Sequence, residues 1–209
     1  MLYLYRKLQP GEFFVVGGDC AQGGADSNIV QFISKTSTDI PLKLKMKGVA
    51  SAMTPHLHQT LEWIYDQTKV KPVVALERNN GGQSEMHNLF MMNKNSKYRI
   101  YQMKTTGTEE GEEITATLGY STNSATRPKM LGDWKVAFDG KLVRIYSKST
   151  IREHKTFIVN KNGKPEGAPN THDDEVMSCA IAWQLYQSEN PITMKKSTKP
   201  RRKPVNLHI

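Results

Sequence analysis

Two short apolar runs, each followed at once by a carboxylate, constrain the fold of this chain more than any other feature. Residues 13–18 (FFVVGG) precede Asp19, and Val73–Leu76 (VVAL) precede Glu77. Continuous apolar runs of this length are typical of strands that are buried on both faces of a sheet. We therefore expect a sheet that helices cover on both sides. Two of its strands should each end in an acidic side chain.

The residues after the first run predict two more strands. A Gly-rich turn containing Gly23, Gly24 and Asn28 is expected to join the first strand to the second. The alternation of apolar and polar residues from Leu42 to Met46 predicts a third strand with one solvent-facing side. Hairpins at the start of the chain make the first part of the sheet antiparallel.

Helices alternate with strands in the rest of the chain. Thr54 is expected to be the N-cap of the first helix, with Pro55 at its first position. The polar, Gly-rich residues 105–124 are expected to form a mobile loop, and Asn162-Gly163 predicts a late hairpin. Helices are also predicted at residues 82–94, at 125–139 with Gly140 as the stop, and from Asp173 to about Gln187. Strands followed by crossover helices predict an α/β fold with a mixed central sheet that helices flank on both faces.

Length and composition predict one intracellular globular domain with a basic tail. The 209 residues suffice for one sizeable core, and only two cysteines, with no CxxC pair, argue against a disulfide framework or a zinc ribbon. No apolar run approaches the ~20 residues of a membrane span, and the first residues lack the layout of a signal peptide. The net charge of the chain is +9, and the last fifteen residues alone contain six Lys or Arg and no acidic residue. We expect a domain over residues 1–190 and a disordered tail over 191–209, which either contacts nucleic acid or keeps the protein soluble.

The acidic residues suggest a metal site. Asp19 and Glu77 end strands, and Asp173 and Asp174 begin a helix, so the three positions are expected to meet at one rim of the sheet. Their carboxylates would repel one another unless cations lay between them, and oxygen ligands suit Mg²⁺ or Mn²⁺. Two such ions could cleave a phosphodiester. Taken singly, each acid has a simpler explanation: a turn for Asp19, a surface ion pair for Glu77, and helix capping for the doublet.

Three segments, taken in order, resemble a known family. VVGGDCAQGGADSN (residues 15–28), VVALERNNGG (73–82) and THDDEVMSCAIA (171–182) are similar to segments of the nuclease domain of the large terminase subunit of tailed bacteriophages. The resemblance covers roughly residues 11–188. It implies a ribonuclease H-like fold, shared with resolvases and transposases, and an endonuclease that cleaves double-stranded viral DNA during genome packaging with two Mg²⁺ or Mn²⁺ ions.

The resemblance also implies roles for single residues. Asp19 matches the aspartate of the first strand, Glu77 the central acidic ligand and Asp174 the C-terminal one, with Asp173 as a fourth ligand. His172 is expected to contact a metal ligand or to carry a proton. Apart from the resemblance, Arg78, Arg127 and Lys129 are basic residues near the site, and Lys161 and Lys164 lie beside the predicted hairpin, so all five are expected to contact DNA phosphates. Cys20 is next to Asp19 but is interpreted as a packing residue.

The implied partners follow from the same family. Large terminases work with double-stranded DNA, an ATPase motor domain, a small terminase subunit and a portal protein, in the cytoplasm of the infected bacterial host and without a membrane. This sequence has no G-x-x-x-x-G-K-[ST] phosphate loop, so we expect either an isolated nuclease portion or a relative without a motor. Two alternatives remain open: a resolvase- or transposase-like nuclease of the same fold, and a non-catalytic module that binds DNA or docks a motor.

Overall fold

The computed structural model of the chain describes residues 1–105, 115–161 and 163–191. The strands in these ranges are β1 (Leu2–Leu4), β2 (Phe14–Asp19), β3 (Gln22–Ser34), β4 (Asp39–Val49), β5 (Val73–Leu76), β6 (Arg99–Ile100), β7 (Gln102–Thr105), β8 (Thr115–Leu118), β9 (Arg144–Ile145), β10 (Phe157–Val159) and β11 (Pro165–Gly167). The helices are α1 (Ala50–Thr68), α2 (Gly82–Met92), α3 (Thr126–Asp139), α4 (Lys148–Thr156) and α5 (Asp174–Ser188).

Seven of the described strands form one mixed sheet. Six lie in the order β1-β4-β3-β2-β5-β6, and β9 pairs with β4. The pairs β2–β3 and β3–β4 are antiparallel, whereas β2 lies parallel to β5 and β5 parallel to β6. Parallel neighbours need a crossover, which α2 provides between β5 and β6. The predicted mixed sheet is confirmed.

Alternate residues of β2 contribute to two separate cores. Val15 belongs to a buried cluster that includes residues of α3 and α5, whereas Phe14 and Val16 belong to a cluster with residues of α1 and α2. Because successive side chains of a strand point to opposite faces, the helices cover both sides of the sheet, as predicted. Among the described residues, no helix is both long and apolar enough to cross a lipid bilayer.

The predicted turn between the first two strands is wrong. β3 begins at Gln22, so Gly23, Gly24 and Asn28 lie inside that strand. Pairing with β4 is irregular between Gln22 and Ser27, where Gly23 adopts a φ of +109°. The side chain of Asn28 is buried, and its Oδ1 accepts a hydrogen bond from the amide of Ala21, in the connection between β2 and β3, at 2.9 Å.

The first helix begins earlier than Thr54, the predicted N-cap. α1 starts at Ala50, which places both Thr54 and Pro55 inside the helix. The apolar stripe extends one turn upstream, because Ala50 and Met53 are buried as well as Leu57. The hydroxyl of Thr54 donates within the helix to the carbonyl of Ala50 at 3.3 Å and therefore does not cap it.

The prediction that one side of the third strand, β4, faces solvent is also partly wrong. Lys43, one of the alternating polar residues of β4, is buried with 2% of its surface exposed. Its ammonium reaches a buried carboxylate on α5, described below. Periodicity distinguishes polar from apolar positions but does not reveal that another element covers the polar face.

The remaining loops are partly described. Thr115–Leu118 lies within the predicted mobile loop of residues 105–124, but it forms β8 and pairs with β7, so this part of the loop is a strand. Residues 106–114 lie outside the described residues. β10 pairs with β11 antiparallel, which confirms the late hairpin, although Asn162 itself lies outside the described residues. Residues 192–209 also lie outside, so the disordered basic tail remains a prediction.

Candidate active site

The sheet register brings the two strand-terminal acids side by side. β2 and β5 are parallel, with Gly18 opposite Leu76, so Asp19 and Glu77 each follow directly after a paired position. The amide of Glu77 donates to the carbonyl of Gly18 at 2.8 Å, which continues the ladder to the acids. Two local apolar runs thus deliver two carboxylates to the same end of the sheet.

The start of α5 reaches this end because β2 has a glycine beneath the helix. A Cβ atom built on Gly17 would lie 2.2 Å from the amide nitrogen of Ala182 and 2.4 Å from the carbonyl oxygen of Ser178. Both atoms belong to the backbone of α5, so no side chain could move aside. The helix therefore packs directly on the strand, and its first turn lies next to Asp19.

These elements surround one open groove with a volume of about 790 Å³. Four acidic side chains line it: Asp19 and Glu77 from the sheet, and Asp173 and Asp174 from the start of α5. The other lining residues are Cys20, Ala21, Gly23, Asn79, Asn80, Arg127, Thr171, His172 and Met177. The structure thus brings together the four acids that the sequence singled out.

Asp19 and Glu77 are buried close together. They expose 9% and 5% of their surface, and their side chains share a hydrogen bond. Burial, followed by the charge of Glu77, raises the pKa of the Asp19 carboxyl well above its usual range, and the nearby Asp174 and Asp173 raise it further. Such a site disfavours a second negative charge unless a cation compensates it.

Two polar residues hold the Glu77 carboxylate in place. Thr122 donates its hydroxyl to Oε1 of Glu77, and the Nδ2 of Asn79 donates to the same oxygen at 3.1 Å. Asn79 also donates to the Thr122 hydroxyl at 2.8 Å. Sequence reasoning missed Thr122, which is 45 positions from Glu77. Asn79 was detectable as a polar residue two positions after a strand-terminal acid.

A residue of α4 caps α5, which leaves the acid doublet to other partners. The Oε1 of Glu153 accepts from the amides of Glu175 at 2.5 Å and Val176 at 3.1 Å. Among the described residues, the carboxylate of Asp173, at the N-cap position, makes no capping hydrogen bond to α5. Sequence reasoning missed Glu153. Glu153 therefore supplies the side-chain cap of α5 that Asp173 does not supply.

The two members of the doublet lean in different directions. Asp173 accepts from Arg127 of α3 at 3.1 Å, in an ion pair that is about one-third exposed. Asp174 accepts from the amide of Ser27 on β3 at 3.5 Å, next to the strand that carries Asp19. Asp174 is thus oriented toward the sheet and Asp173 toward α3.

The third acid of this turn points into the protein. Lys43 of β4 donates to both oxygens of the Glu175 carboxylate, at 2.9 and 3.0 Å. Ser149 donates at 3.0 Å, and Thr150 donates as well. Glu175 therefore anchors the first turn of α5 to β4 and α4 and does not face the groove.

The basic residues that the sequence predicted to contact DNA, and His172, lie in three places in the structure. Arg127 and His172 line the groove. Arg78 lines a neighbouring depression with His87. Lys129, Lys161 and Lys164 are exposed and lie outside the groove lining; Lys129 pairs with Asp133 at 2.6 Å, and Lys164 with Glu166 at 3.3 Å. Cys20 is buried, and burial raises the pKa of its thiol, which agrees with a packing role.

The four acids offer only carboxylate oxygens, the donor type that Mg²⁺ and Mn²⁺ prefer. Within the described residues, however, no three His, Cys, Asp or Glu side chains are already spaced to hold a single ion. The four acids instead interact with protein groups: the carboxyl groups of Asp19 and Glu77 with each other through a shared proton, Asp173 with Arg127, and Asp174 with an amide. Metal binding would exchange these hydrogen bonds for metal ligands through side-chain rotation.

Comparison with known proteins gives matches only at the level of structure. No family model and no curated protein matches the sequence. The large terminase nuclease of the thermophilic phage G20c with bound magnesium matches with a TM-score of 0.60 at 14% identity, over 87% of this chain and 84% of that chain. The large terminase nuclease domain of Thermus phage P74-26 matches with a TM-score of 0.61 at 12% identity, over 92% and 90%.

A protein of human cytomegalovirus also has a similar structure. The terminase nuclease domain of human cytomegalovirus, Mn-soaked and inhibitor-bound, matches with a TM-score of 0.53 at 11% identity, over 82% of this chain and 83% of that chain. Identities this low show likeness of fold alone. The predicted ribonuclease H-like architecture is confirmed, and the chain has the fold of large terminase nuclease domains.

Proposed function

We propose that this chain is a metal-dependent endonuclease that cleaves double-stranded DNA during the packaging of a viral genome. The observation that carries the proposal is the meeting of Asp19, Glu77 and Asp174 in one groove. They come from two parallel strands and a helix, and two of them are buried. A buried carboxylate pair is costly for a fold, which argues for a role in function.

Asp19, Glu77 and Asp174 would hold the metal, with Asp173 as a fourth ligand. Two Mg²⁺ or Mn²⁺ ions would activate water and neutralise charge on the phosphate. Glu77 is held by Thr122 and Asn79, so one of its oxygens has a fixed direction. The neighbouring structures support a divalent ion, since G20c nuclease structures carry magnesium, cobalt or zinc and a cytomegalovirus one was soaked in manganese.

Other groove residues would act on the substrate. Arg127 lies beside Asp173 and would bind a phosphate when that carboxylate turns toward a metal. His172 is exposed at the groove and would accept or donate a proton near the leaving oxygen. Arg78, Lys129, Lys161 and Lys164 lie farther out and would contact the DNA backbone.

The cellular setting is proposed from the resemblance of the sequence to large terminases. An ATPase motor domain, a small terminase subunit and a portal protein would be the partners, in the cytoplasm of an infected bacterium. The neighbours' names include terminases of phages and of human cytomegalovirus. The motor would move DNA, and the groove would cut it.

Plasmid cleavage tests the proposal. Supercoiled plasmid should be nicked and linearised with Mg²⁺ or Mn²⁺ and remain intact with chelator. Asp19→Asn, Glu77→Gln and Asp174→Asn should each abolish cleavage, because each removes charge that holds a metal. Asp66→Asn, at an exposed acid on α1, is the matched control and should cut normally. Full cleavage by Asp19→Asn would overturn the assignment.

The choice of DNA separates the alternatives. A terminase-type nuclease should cut linear and circular duplex alike. A resolvase-like enzyme should prefer a four-way junction. A non-catalytic module should bind duplex DNA and leave it uncut under every metal condition.

A further inference from the structure

Alternate residues of β4 place three lysines on the sheet face that carries the candidate site. Lys43 lies opposite Gln31, Lys45 opposite Ile29, and Lys47 opposite Ser27. Directly paired residues of neighbouring strands share a face, and alternate residues of one strand share a face. The lysines therefore form a row that runs toward the edge of the sheet.

This row ends beside the groove. Ile29 of β3 pairs with Asp19 on its other side, so Lys45, Ile29 and Asp19 lie in one line across the sheet. Ser27, the partner of Lys47, donates its amide to Asp174 at 3.5 Å. Neighbouring strands lie about 4.8 Å apart, so the backbone of Lys47 on β4 is about that distance from the backbone of Ser27 on β3, whose amide contacts Asp174.

The three lysines differ in how fully they are paired. Lys43 is buried, with 3% of its side chain exposed, and is saturated by Glu175. Lys45 lies 3.6 Å from the same carboxylate and exposes 37% of its side chain. Lys47 is exposed and has no ion-pair partner among the described residues. Glu175 therefore neutralises the inner end of the row, and the outer end has surplus positive charge.

Positive charge thus flanks the acid doublet on both sides. Asp173 leans toward Arg127 of α3, and Asp174 leans toward Ser27, with Lys47 on the next strand. A polyanion that lies across the groove would meet Arg127 on one side and the lysine row on the other. Lys45 and Lys47 are about 6.8 Å apart along the strand, which corresponds to about two phosphates along the axis of one DNA strand.

We propose that Lys45 and Lys47 form a backbone-binding track for duplex DNA on the β3–β4 side of the groove. The track rests on the proposed function, since it positions DNA for the same site. Lysines contact phosphates as point charges, so the track adds affinity without sequence preference. Lys47 is the principal contact, and Lys45 is shared with Glu175.

Binding is measured separately from cutting. The Asp19→Asn protein, which should not cleave, is titrated with a fluorescent duplex of about 30 base pairs at several salt concentrations. Lys45→Gln/Lys47→Gln in this background should weaken binding about tenfold and lower the slope of log K against log salt by one to two, at about 0.9 per lost contact. AT-rich and GC-rich duplexes should lose affinity equally.

Lys71→Gln/Lys94→Gln is the matched control. Both lysines are exposed, and they follow the ends of α1 and α2, at the edge of the sheet away from Glu77. This variant should keep the affinity and the slope. Lys47→Gln alone should still lower the slope by about one, which keeps the test valid if Lys45 also serves the fold.

The proposed track would be overturned if Lys47→Gln and Lys45→Gln/Lys47→Gln both left the slope of log K against log salt unchanged while they melted at the temperature of the parent. A parent protein that does not bind duplex DNA would also overturn it. Cleavage of plasmid by the otherwise wild-type chain is scored independently, so a failed track leaves a working nuclease visible. In that cleavage assay, the double variant should raise KM and leave kcat nearly unchanged.

Discussion

Lys43 and Glu175 form an ion pair that is almost completely closed to solvent, with 2.9 Å between Nζ and Oε2 and side chains that are 3% and 1% exposed. The pair joins β4 to the first turn of α5, one residue after Asp174. Hydroxyl groups of Ser149 and Thr150 complete the shell around the carboxylate. Stability of the fold and placement of a candidate ligand therefore depend on the same contact.

Removing one partner of this pair should cost more than removing both. Glu175→Gln leaves a buried ammonium without its counter-charge, and we expect a loss of about 3–5 kcal/mol in the free energy of unfolding. Lys43→Met/Glu175→Gln leaves no lone charge and should be less destabilised than Glu175→Gln. Urea denaturation of the four proteins of this cycle measures the coupling. If the double variant lost as much unfolding free energy as the two single variants lose together, the coupling between Lys43 and Glu175 would be contradicted.

Gly17→Ala should disturb both stability and cleavage. The added methyl group meets two backbone atoms of α5, so the helix must shift, and we expect a loss of roughly 1–3 kcal/mol. A shifted helix moves Asp174 away from Asp19, so metal-dependent cleavage should fall even where the protein is folded. Urea melts and single-turnover cleavage are the measurements.

Gly132→Ala is the control for that change. Gly132 lies within α3, and a Cβ atom there would have no neighbour within 4 Å. Replacing a glycine in a helix interior should stabilise the protein by roughly 0.5–1 kcal/mol and leave cleavage unchanged. Similar losses in the two variants would mean that the strand–helix approach at Gly17 has no special role.

Metal binding should discriminate between the two members of the acid doublet. Mg²⁺ or Mn²⁺ binds the folded state and should therefore raise the free energy of unfolding of the wild type by about 2.7 kcal/mol at a hundredfold excess over Kd, and its melting temperature with it. Asp174→Asn should lose this gain, and Asp173→Asn should retain most of it. Without metal, Asp174→Asn should melt at the wild-type temperature or above, since one of several crowded like charges is removed. The reverse pattern would assign the main ligand to Asp173.

Glu153 provides the internal standard for capping. Glu153→Ala removes the acceptor of two amides of α5 and should cost about 1 kcal/mol with or without metal. Glu153→Gln keeps a carbonyl acceptor and should cost less. If Asp174→Asn instead lowered stability without metal as much as Glu153→Ala does, the doublet would be a capping device after all.

His154 should make the fold sensitive to mild acid. Trp134 donates its indole N–H to Nε2 of His154 at 2.6 Å, so Nδ1 carries the proton and donates to the carbonyl of Thr150 at 2.7 Å. Burial lowers the pKa of His154. Neutral His154 therefore contributes its full stabilisation above the unfolded-state pKa of about 6.5. As the pH falls below this value, the free energy of unfolding decreases, by up to 1.36 kcal/mol for each unit by which the folded-state pKa lies below the unfolded-state pKa.

Unfolding free energies from pH 8 to pH 5 measure this effect. His154→Gln should show a shallower fall between pH 7 and pH 5 than the wild type, because carboxyl titrations are common to both. His87→Gln, at an exposed position of α2, controls for loss of a surface imidazole. Parallel curves for wild type and His154→Gln would exclude His154 as the source.

The sequence predicted those parts of the site that depend on local pattern. The apolar runs before Asp19 and Glu77 are buried strands, and the register of β2 and β5 brings their ends together. The start of α5 was predicted to within one residue. The roles of these acids as metal ligands remain predictions.

Contacts between distant segments were beyond the reach of sequence patterns. Lys43 follows the alternation of a solvent-facing residue, yet α4 and α5 cover it. Glu153 caps a helix that begins 21 positions later in the chain. Thr122 lies in a segment that reads as a polar loop. In each case the local residue type was compatible with exposure, and only tertiary packing decided otherwise.

The approach of α5 to β2 at Gly17 limits how the sequence of a chain with this fold can vary. The G20c nuclease has a similar fold at 14% sequence identity, so two chains of this fold can differ at most side chains. A distance between two backbones is not exchangeable in the same way, because no compensating substitution creates room for a β-carbon. We therefore expect chains of this fold to show one of two arrangements at this contact. Either the strand carries a glycine here, or the helix lies farther from the strand and supplies its acid from another turn.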